Sequence, residues 1–388
     1  MNNSDGVPAP QPEPAPHTEL SQRYEDLLET ARIVWSSERP LLRLVGTGGQ
    51  GSVFLSLRRG SDDFTLPVAL KIFSPTPFPD SAAYEREMRR VAGVAARVAR
   101  VQHDNLIDVH NVITQDQIHM MEMEWLDGYD LQQLLLPDAL QEVRRHVTER
   151  RWRSLNRGVV TAGREHSRLK PGIAVGVIKE CLAGLAALHR EGIVHSDLKP
   201  SNIMLKRSGN VKLVDIGSAY GLENPPHGLP CTPAYAAPEI LRGQLGSPAS
   251  DLASLGYVLI ELITGMHPFE NITYGDLLRS KNTIIERLPH ILPAEEFAYS
   301  ELLLTLIRRL VHPDPTRRFA SAESAELSDE GTAGFLRELV KGDLDSDCEA
   351  DIRNWIAEIE SDTLPAPETH DPLSSGPVNT ATTRWFKP

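Results

Sequence analysis

The feature that most constrains this chain is the polar run His195-Ser-Asp197-Leu-Lys199-Pro-Ser-Asn202, which the apolar stretch Ile-Met-Leu follows at once. A second apolar stretch, Val-Lys-Leu-Val, ends directly before Asp215. These patterns predict two short strands whose adjoining loops carry two carboxylates and an amide. Carboxylate and amide oxygens are the ligands that Mg²⁺ prefers. Each acid taken singly could equally be a loop cap, whereas all of them in this order indicate a metal-assisted site.

A glycine-rich turn lies near the start of the folded part of the chain. The run Gly46-Thr-Gly48-Gly-Gln-Gly51-Ser-Val53 fits G-x-G-x-x-G-x-V and stands between two strand-like stretches. Glycines let the backbone approach phosphate oxygens closely, although a hairpin turn without a ligand has the same composition. A dinucleotide-binding fold would place a helix directly after the glycines. Here a strand follows, so that fold is not indicated.

The next strand carries Val68-Ala69-Leu70-Lys71. A lysine in mid-strand usually faces solvent, but V-A-x-K about twenty residues after a glycine loop is a phosphate-pairing arrangement. An inward-facing lysine needs a carboxylate partner, because an unpaired buried charge is unfavourable. The following helix offers Glu85 and Glu87, which are about 200° apart around the helix, so only one can face Lys71. Glu87 shares the apolar face and is favoured; Glu85 remains the alternative.

Three further runs complete the pattern: Cys231-Thr-Pro-Ala-Tyr-Ala-Ala-Pro-Glu239, Asp251-Leu-Ala-Ser-Leu-Gly256 and Asp314-Pro-Thr-Arg-Arg318. With them, the chain resembles the eukaryotic-type Ser/Thr protein kinase family over about residues 41–320. The A-P-E run is specific, since small-molecule kinases of related fold generally lack it. The resemblance implies an α+β, two-lobed fold, with a small β-rich N-lobe at 41–126, a larger helical C-lobe at 127–320, and ATP bound between them.

The resemblance also implies a role for individual residues. The residues expected to bind ATP are Gly46, Gly48, Gly51, Val53, Ala69, Lys71, Glu87, Met123, Glu124, Trp125, Leu126, Asp130 and Met204. The residues expected to act in phosphoryl transfer are Asp197 as catalytic base, Lys199 and Lys71 on the phosphates, and Asn202 and Asp215 as Mg²⁺ ligands. The remaining expected roles are a substrate contact by Thr232, an ion pair between Glu239 and Arg318, and support of the catalytic loop by Asp251.

Two departures from the family pattern bear on mechanism. Ser196 stands where the family has an arginine that gathers an activation-loop phosphate, a contact that serine cannot make. Between Asp215 and Thr232 the only hydroxyl side chains are those of Ser218 and Tyr220. Phosphate receptor and phosphate acceptor are therefore absent together, which predicts activity without activation-loop phosphorylation. Ile216, where phenylalanine is commoner, is expected to change packing only.

The rest of the chain divides by composition. Residues 1–19 are Pro-rich and expected to be disordered, residues 20–40 form an extension with a helix at 22–34, and the tail from 363 is expected to be disordered. Residues 321–362 are expected to form a helical extension of the C-lobe, with helices at 333–340 and 350–359. The insertion at 137–172 carries nine Arg and Lys residues against three Glu between 141 and 170. It is either a solvated insertion or a docking surface for an acidic or phosphorylated partner.

Composition narrows the class of protein. A net charge of −13 argues against a general nucleic-acid binder, and three scattered cysteines fit a reducing, cytoplasmic location rather than a disulfide framework or zinc site. We expect no signal peptide or membrane anchor, and the Ala, Arg and Pro content resembles that of a soluble bacterial member of the family. The expected cofactors are ATP and Mg²⁺, and the expected partner is a protein with a Ser or Thr acceptor.

Two other classes of function remain open at this stage. A pseudokinase that acts as a binding scaffold would have lost a lysine or metal-binding position, and none is lost. A small-molecule kinase of related fold would share H-x-D-x-x-x-x-N but usually lacks A-P-E and the substrate-contacting threonine. The pattern as a whole favours an active Ser/Thr protein kinase.

Overall fold

The computed structural model describes residues 39–163, 165–226, 231–292, 300–341 and 348–360. The predicted helix at 22–34, the Pro-rich start and the tail from 363 lie outside these residues. Within them the chain forms a β-sheet lobe followed by a helical lobe, so the predicted α+β, two-lobed architecture is confirmed.

The N-lobe is a five-stranded antiparallel sheet with one long helix. The strand order is β1-β2-β3-β5-β4. The elements are β1 (Leu41–Gly48), β2 (Gly51–Arg59), β3 (Thr65–Phe73), α1 (Ser81–Val98), β4 (Val109–Gln115) and β5 (Ile118–Glu124). Helix α1 begins after Asp80, whose side chain accepts a hydrogen bond from the N–H of Ala83 at 2.7 Å. This N-cap satisfies one of the four free donors at the helix start.

The register of the sheet assembles one continuous face from three strands. Val53 lies opposite Lys71, and Lys71 lies opposite Met121 on the other side. Ala69 lies opposite Met123. Because side chains alternate along a strand and directly opposed residues point to the same side, these five side chains share one face of the sheet. Four of the predicted nucleotide-binding residues, Val53, Ala69, Lys71 and Met123, are therefore on one surface.

The C-lobe is mainly helical. Its first elements are β6 (Gly128–Asp130), α2 (Leu131–Leu135), α3 (Pro137–His146), α4 (Glu149–Gly158), β7 (Val160–Ala162), β8 (Ser167–Leu169), α5 (Pro171–Arg190), β9 (Ile193–Val194), β10 (Ile203–Lys206), β11 (Val211–Leu213) and β12 (Tyr220–Gly221). They are followed by α6 (Pro238–Leu241), α7 (Pro248–Thr264), α8 (Tyr274–Asn282), α9 (Ile284–Ile291), α10 (Glu301–Leu310), α11 (Ala322–Leu327), α12 (Thr332–Lys341) and α13 (Cys348–Glu360).

Helices α5 and α7 form the centre of this lobe, and α7 is buried along almost its whole length. Gly256 lets α7 approach α10 closely, because a Cβ there would lie 2.5 Å from Val311 Cγ1. By length and composition alone α5 could cross a membrane, but 67% of its most apolar window is buried inside the lobe. A buried core helix passes the same test, so this is weak evidence for a membrane span.

The basic insertion is an ordered part of the lobe. It forms the helices α3 and α4 and the hairpin β7–β8, and α13 packs against both α3 and α5. Arg151 of α4 donates to Glu358 of α13 at 2.7 Å, and Trp355 of α13 is fully buried. The described residues of the insertion thus pack into the lobe, and α12 and α13 occupy the places predicted for the two C-terminal helices. The acidic or phosphorylated partner stays a prediction.

Candidate active site

The loop that carries Asp197 is held in place by a buried carboxylate on α7. Asp251 accepts hydrogen bonds from the backbone N–H groups of His195 and Ser196, both at 2.9 Å. His189 Nε2 lies 2.9 Å from the same carboxylate. Ser196 has a φ of +70°, a left-handed conformation that few non-glycine residues adopt. Two charge-assisted hydrogen bonds from the His195 and Ser196 N–H groups to Asp251 stabilise that unfavourable backbone, as the resemblance predicted for Asp251.

Asp197 is the centre of a compact polar cluster. Its Oδ1 accepts from Thr232 Oγ1 at 2.7 Å and from the Thr232 N–H at 3.1 Å. Its Oδ2 accepts from Lys199 Nζ at 2.7 Å, and Lys199 also donates to Thr232 Oγ1 at 3.1 Å. The predicted base, the predicted phosphate-binding lysine and the predicted substrate-contacting threonine thus touch one another. A hydroxyl that replaces Thr232 on Asp197 would meet a carboxylate acceptor beside an ammonium group.

Asn202 and Asp215 present oxygen atoms that fit a divalent cation. Asn202 donates through its amide nitrogen to the carbonyl of Asp197 at 2.7 Å, which leaves its Oδ1 without a donor among the described contacts. Asp215 accepts from Lys71 and from the N–H of Gly217 through Oδ1, which leaves Oδ2 similarly unengaged. Hard oxygen ligands of this kind suit Mg²⁺. The residues present therefore fit the metal that the sequence predicted.

The charge of Asp215 is maintained by its neighbours. Burial raises the pKa of this carboxyl, but the Lys71 ammonium and the Gly217 N–H more than offset burial, so the pKa lies below its ordinary value. The residue adopts a φ of +59° and caps the short 3₁₀ turn Ile216–Ser218. Ile216 itself is buried in the core, as expected for a residue that alters only packing.

Lys71 does not pair with Glu87, so that expectation is wrong for this structure. Lys71 Nζ donates to Asp215 and, at 2.9 Å, to Gln50 Oε1. Glu87 is instead bound by Arg90, one turn further along α1, through Nη2 at 2.7 Å and through Nε. Glu85 does not replace it, because Glu85 lies 3.4 Å from His119. The physical reason is competition between charged groups. The Arg90 guanidinium on the same helix binds Glu87, and the Asp215 carboxylate across the cleft binds Lys71.

Gln50 is a residue that the sequence reasoning did not single out. It stands at the tip of the glycine-rich turn, where its Oε1 accepts from Lys71 and its Nε2 donates to Ser218 Oγ at 2.7 Å. The side chain therefore bridges the N-lobe lysine and the segment after Asp215. The sequence did contain a signal for this role. Gln50 is an amide side chain, able both to donate and to accept hydrogen bonds, within the glycine run predicted to bind phosphate.

The glycines of the turn have different physical roles. Gly51 has a φ of +140°, and a Cβ there would lie 2.0 Å from the carbonyl oxygen of Ile72, so the fold itself requires glycine. A Cβ at Gly46 or Gly48 would meet nothing within 4 Å. Packing does not explain glycine at these two positions, whereas close approach of a phosphate to the backbone would.

The predicted hinge follows β5 directly. Glu124 accepts from Lys212 and from the N–H of Asp108 at 2.8 Å, and Leu126 is buried. Asp130 lies opposite Met204 in the pairing of β6 with β10. Burial raises the pKa of Asp130 to about 6, although hydrogen bonds from backbone N–H groups, including that of Gln133 at 2.8 Å, act in the opposite direction. Contacts of these residues with adenine and ribose stay predictions.

The predicted ion pair between Glu239 and Arg318 lies in the interior of the C-lobe. Arg318 donates to Glu239 through both terminal nitrogens, at 2.6 and 2.8 Å, and the two side chains are almost fully buried. Ser250 also donates to Glu239 at 2.9 Å, and Arg318 donates to the carbonyl of Ala249. This two-pronged contact fixes the A-P-E segment to the base of α7. The predicted pairing is thus present in the structure.

A strand-rich lobe with a glycine turn and an inward lysine, above a helical lobe with an Asp-Lys-Asn loop, defines the two-lobed protein kinase fold. The profile described as "protein kinase domain" matches residues 40–327, about three quarters of the chain. This protein therefore belongs to the protein kinase family, and its relatives place it among the eukaryotic-type Ser/Thr kinases.

The relatives are bacterial proteins. Serine/threonine-protein kinase PrkC of Bacillus subtilis is 25% identical over 301 residues, which are 75% of this chain and 40% of that protein. Serine/threonine-protein kinase pkn3 of Myxococcus xanthus is 30% identical over 299 residues, 73% of this chain and 48% of that protein. Serine/threonine-protein kinase PkaA of Streptomyces coelicolor is 28% identical, over 66% of this chain and 41% of that protein. The chain thus spans less than half the length of these curated relatives.

Proposed function

We propose that this protein transfers the γ-phosphoryl group of ATP to Ser or Thr hydroxyls of protein substrates. The observation that carries the proposal is the cluster of Asp197, Lys199 and Thr232, which Asn202 contacts through its amide nitrogen. Asp215 contacts Lys71, the other predicted phosphate-binding lysine. Phosphoryl transfer depends mainly on positioning and on neutralising charge, and these residues supply both. The names of the bacterial relatives support protein Ser and Thr side chains as the acceptors.

In the proposed reaction, the acceptor hydroxyl takes the place of the Thr232 side chain at Asp197. Asp197 accepts the hydroxyl proton while the hydroxyl oxygen forms a bond to the γ-phosphorus. The bond from that phosphorus to the β,γ-bridging oxygen breaks, and its electron pair leaves with ADP. Lys199 balances charge on the transferred group, and Lys71 exchanges Asp215 and Gln50 for phosphate oxygens. A Mg²⁺ ion held by Asn202 and Asp215 would neutralise the phosphate charge.

The direct test is incubation with γ-labelled ATP, Mg²⁺ and a general protein acceptor, followed by mapping of labelled residues. Asp197→Asn should lower the transfer rate about 10²- to 10⁴-fold, because the base is lost while shape is kept. Asp63→Asn, on an exposed turn of the N-lobe, is the matched control and should retain the full rate. Transfer that persists in Asp197→Asn, or label on groups other than Ser and Thr, would contradict the proposal.

We further propose that activity does not depend on phosphorylation of the activation loop. Ser196 carries no cationic group that could bind a phosphate, and Asp251 already binds its backbone N–H. Ser218 is buried and hydrogen-bonded to Gln50, and Tyr220 is fully buried, so neither hydroxyl is exposed to another kinase molecule. Phosphatase treatment should leave the transfer rate unchanged. A loss of activity that maps to a site within residues 216–232 would overturn this proposal.

The cysteines support a reducing location. Cys181 is fully buried, and the three cysteines, all within the described residues, form no disulfide with one another. Free thiols persist in the cytoplasm and are oxidised outside it. We therefore propose a cytoplasmic location, where ATP is supplied.

A further inference from the structure

Helix α1 is tied to the segment after Asp215 at two points on one face. Arg90, whose side chain is 6% exposed, donates through Nη1 to the carbonyl of Ala219 at 2.7 Å. Seven residues later, Arg97 donates to Glu223 and to the carbonyl of Glu191. Residues seven apart lie two turns apart on the same side of a helix. The helix is therefore attached to the segment 219–223 along that side.

Arg90 makes its second contact within the helix. Its Nε and Nη2 bind both carboxylate oxygens of Glu87, at 2.7 to 3.1 Å. One guanidinium thus holds Glu87 with one edge and Ala219 with Nη1, which is the geometry that planar arginine provides and lysine does not. As long as both contacts persist, Glu87 is neutralised by Arg90 and the helix cannot turn relative to the segment after Asp215.

Lys71, on the neighbouring strand β3, shows the complementary pairing. Lys71, whose side chain is 6% exposed, is neutralised by Asp215, and Gln50 fills a second donor position of its ammonium group. Four charged groups therefore form two pairs, Lys71 with Asp215 and Arg90 with Glu87. The kinase reaction requires a different arrangement, with lysine paired to the helix glutamate and the aspartate free for metal.

We propose that Arg90 is an inhibitory positioning residue, which keeps Glu87 from Lys71 and so stabilises a resting arrangement of the active site. The inference rests on the proposed function and concerns its regulation. Phosphate oxygens offer Lys71 a substitute for Asp215, and a divalent cation offers Asp215 a substitute for Lys71. After this exchange Lys71 and Asp215 each keep a partner of opposite charge, and only Arg90 loses its carboxylate, so the exchange is linked to nucleotide binding. A factor that removes Arg90 from Glu87 shifts the population toward the active arrangement.

The test removes the competing guanidinium. Arg90→Met keeps the length and apolar stem of the side chain but can bind neither Glu87 nor Ala219. Its kcat/KM for phosphoryl transfer should rise about fivefold or more, in the range of coupling between two states. Arg89→Met, a substitution of the neighbouring exposed arginine, is the matched control and should match the wild type. Adding Glu87→Gln to Arg90→Met should abolish the gain, because Lys71 then has no helix carboxylate to pair with.

A second measurement does not require turnover. The dissociation constant of a non-hydrolysable ATP analogue with Mg²⁺ should fall in Arg90→Met and not in Arg89→Met, since Asp215 is released more readily to the cation. Should Arg90→Met fold poorly, Arg90→Lys retains the charge without the two-sided contact and should show a smaller change in the same direction. Unfolding midpoints identify folded variants before either assay.

The outcomes separate the two proposals. An unchanged or reduced kcat/KM in folded Arg90→Met, or a gain that survives Glu87→Gln, overturns the role of Arg90 while phosphoryl transfer by the wild type stands. If no variant transfers more label than Asp197→Asn, the proposed function fails. In that case the affinities for the ATP analogue still test the inhibitory role of Arg90. Equal affinities in Arg90→Met and Arg89→Met would overturn that role.

Discussion

Glu261 is a carboxyl side chain buried beneath the segment that Thr232 begins. Tyr235, three residues after Thr232, donates to Glu261 Oε2 at 2.6 Å. Burial raises the pKa of Glu261 to about 7, and the Tyr235 hydrogen bond offsets burial only in part. The folded protein therefore keeps a proton on this group at pH values where the unfolded chain has already released it.

We predict that Glu261 makes the folded state less stable as pH rises. Below pH ~4.5 both states hold the proton; between ~4.5 and 7 only the folded state does, so the free energy of unfolding falls with increasing pH. The shift is equivalent to about 3 kcal/mol once both states are ionised. Glu261→Gln, which can still accept from Tyr235, should therefore raise the unfolding midpoint at pH 8 and change it little at pH 5.

Denaturation of both proteins across that pH range is the measurement. Glu286→Gln, at an exposed glutamate, is the control and should leave the wild-type pH profile unchanged. Subtracting the wild-type profile from that of Glu261→Gln removes the contribution of other titrating groups. Asp130 is one of them, because burial raises its pKa to about 6. A difference between Glu261→Gln and wild type that does not grow with pH would contradict the assignment.

At the scale of elements, α1 shows where sequence patterns stop being informative. Its existence and buried face follow from helical periodicity, and Met88, Val91, Val94 and Val98 are buried as that periodicity predicts. Which carboxylate meets Lys71 depends on the rotation of the helix and on rival partners. Arg90 was visible in the sequence, but its contact with Ala219 joins residues 129 positions apart. Only the packed structure shows that contact.

Helix α13 is expected to be an integral part of the C-lobe. Trp355 is fully buried, and its indole N–H has no hydrogen-bond partner among the described residues, so its contribution is packing. Trp355→Ala should lower the free energy of unfolding by about 3–5 kcal/mol, measured by denaturant titration. Asn354→Ala, at the adjacent exposed position, should change it by less than about 0.5 kcal/mol. Equal effects would mean that α13 does not stabilise the lobe.

At the scale of the whole molecule, the cleft joins the lobes through charges that a nucleotide and a metal can replace. Lys71 of the sheet contacts Asp215 of the helical lobe, and Arg97 contacts Glu223. We predict that ATP with Mg²⁺ raises the thermal unfolding midpoint, because a ligand at 100 times its dissociation constant stabilises the folded state by about 2.7 kcal/mol.

The dependence on metal should be specific to the predicted ligands. Chelation of Mg²⁺ should remove most of the increase, and Asp215→Asn should make the midpoint insensitive to Mg²⁺ at fixed ATP. Asp276→Asn, on the exposed part of α8, should behave as the wild type. A thermal shift that is equal with and without Mg²⁺ would count against the oxygen pair of Asn202 and Asp215 as the cation site.

The sequence by itself determined the fold and the contacts within the Asp197 loop. Asp197, Lys199 and Asn202 lie within six residues of one another. The local backbone geometry therefore brings their side chains together, independently of how the two lobes are placed. The resemblance to the kinase family also predicted the buried pair of Glu239 and Arg318, and a desolvated charge requires such a partner. Tertiary structure alone decided that Lys71 contacts Asp215 and Gln50, and that Glu87 contacts Arg90. Several charged groups could form these pairs with similar strength. The position of α1 relative to the two lobes determines which of them come into contact.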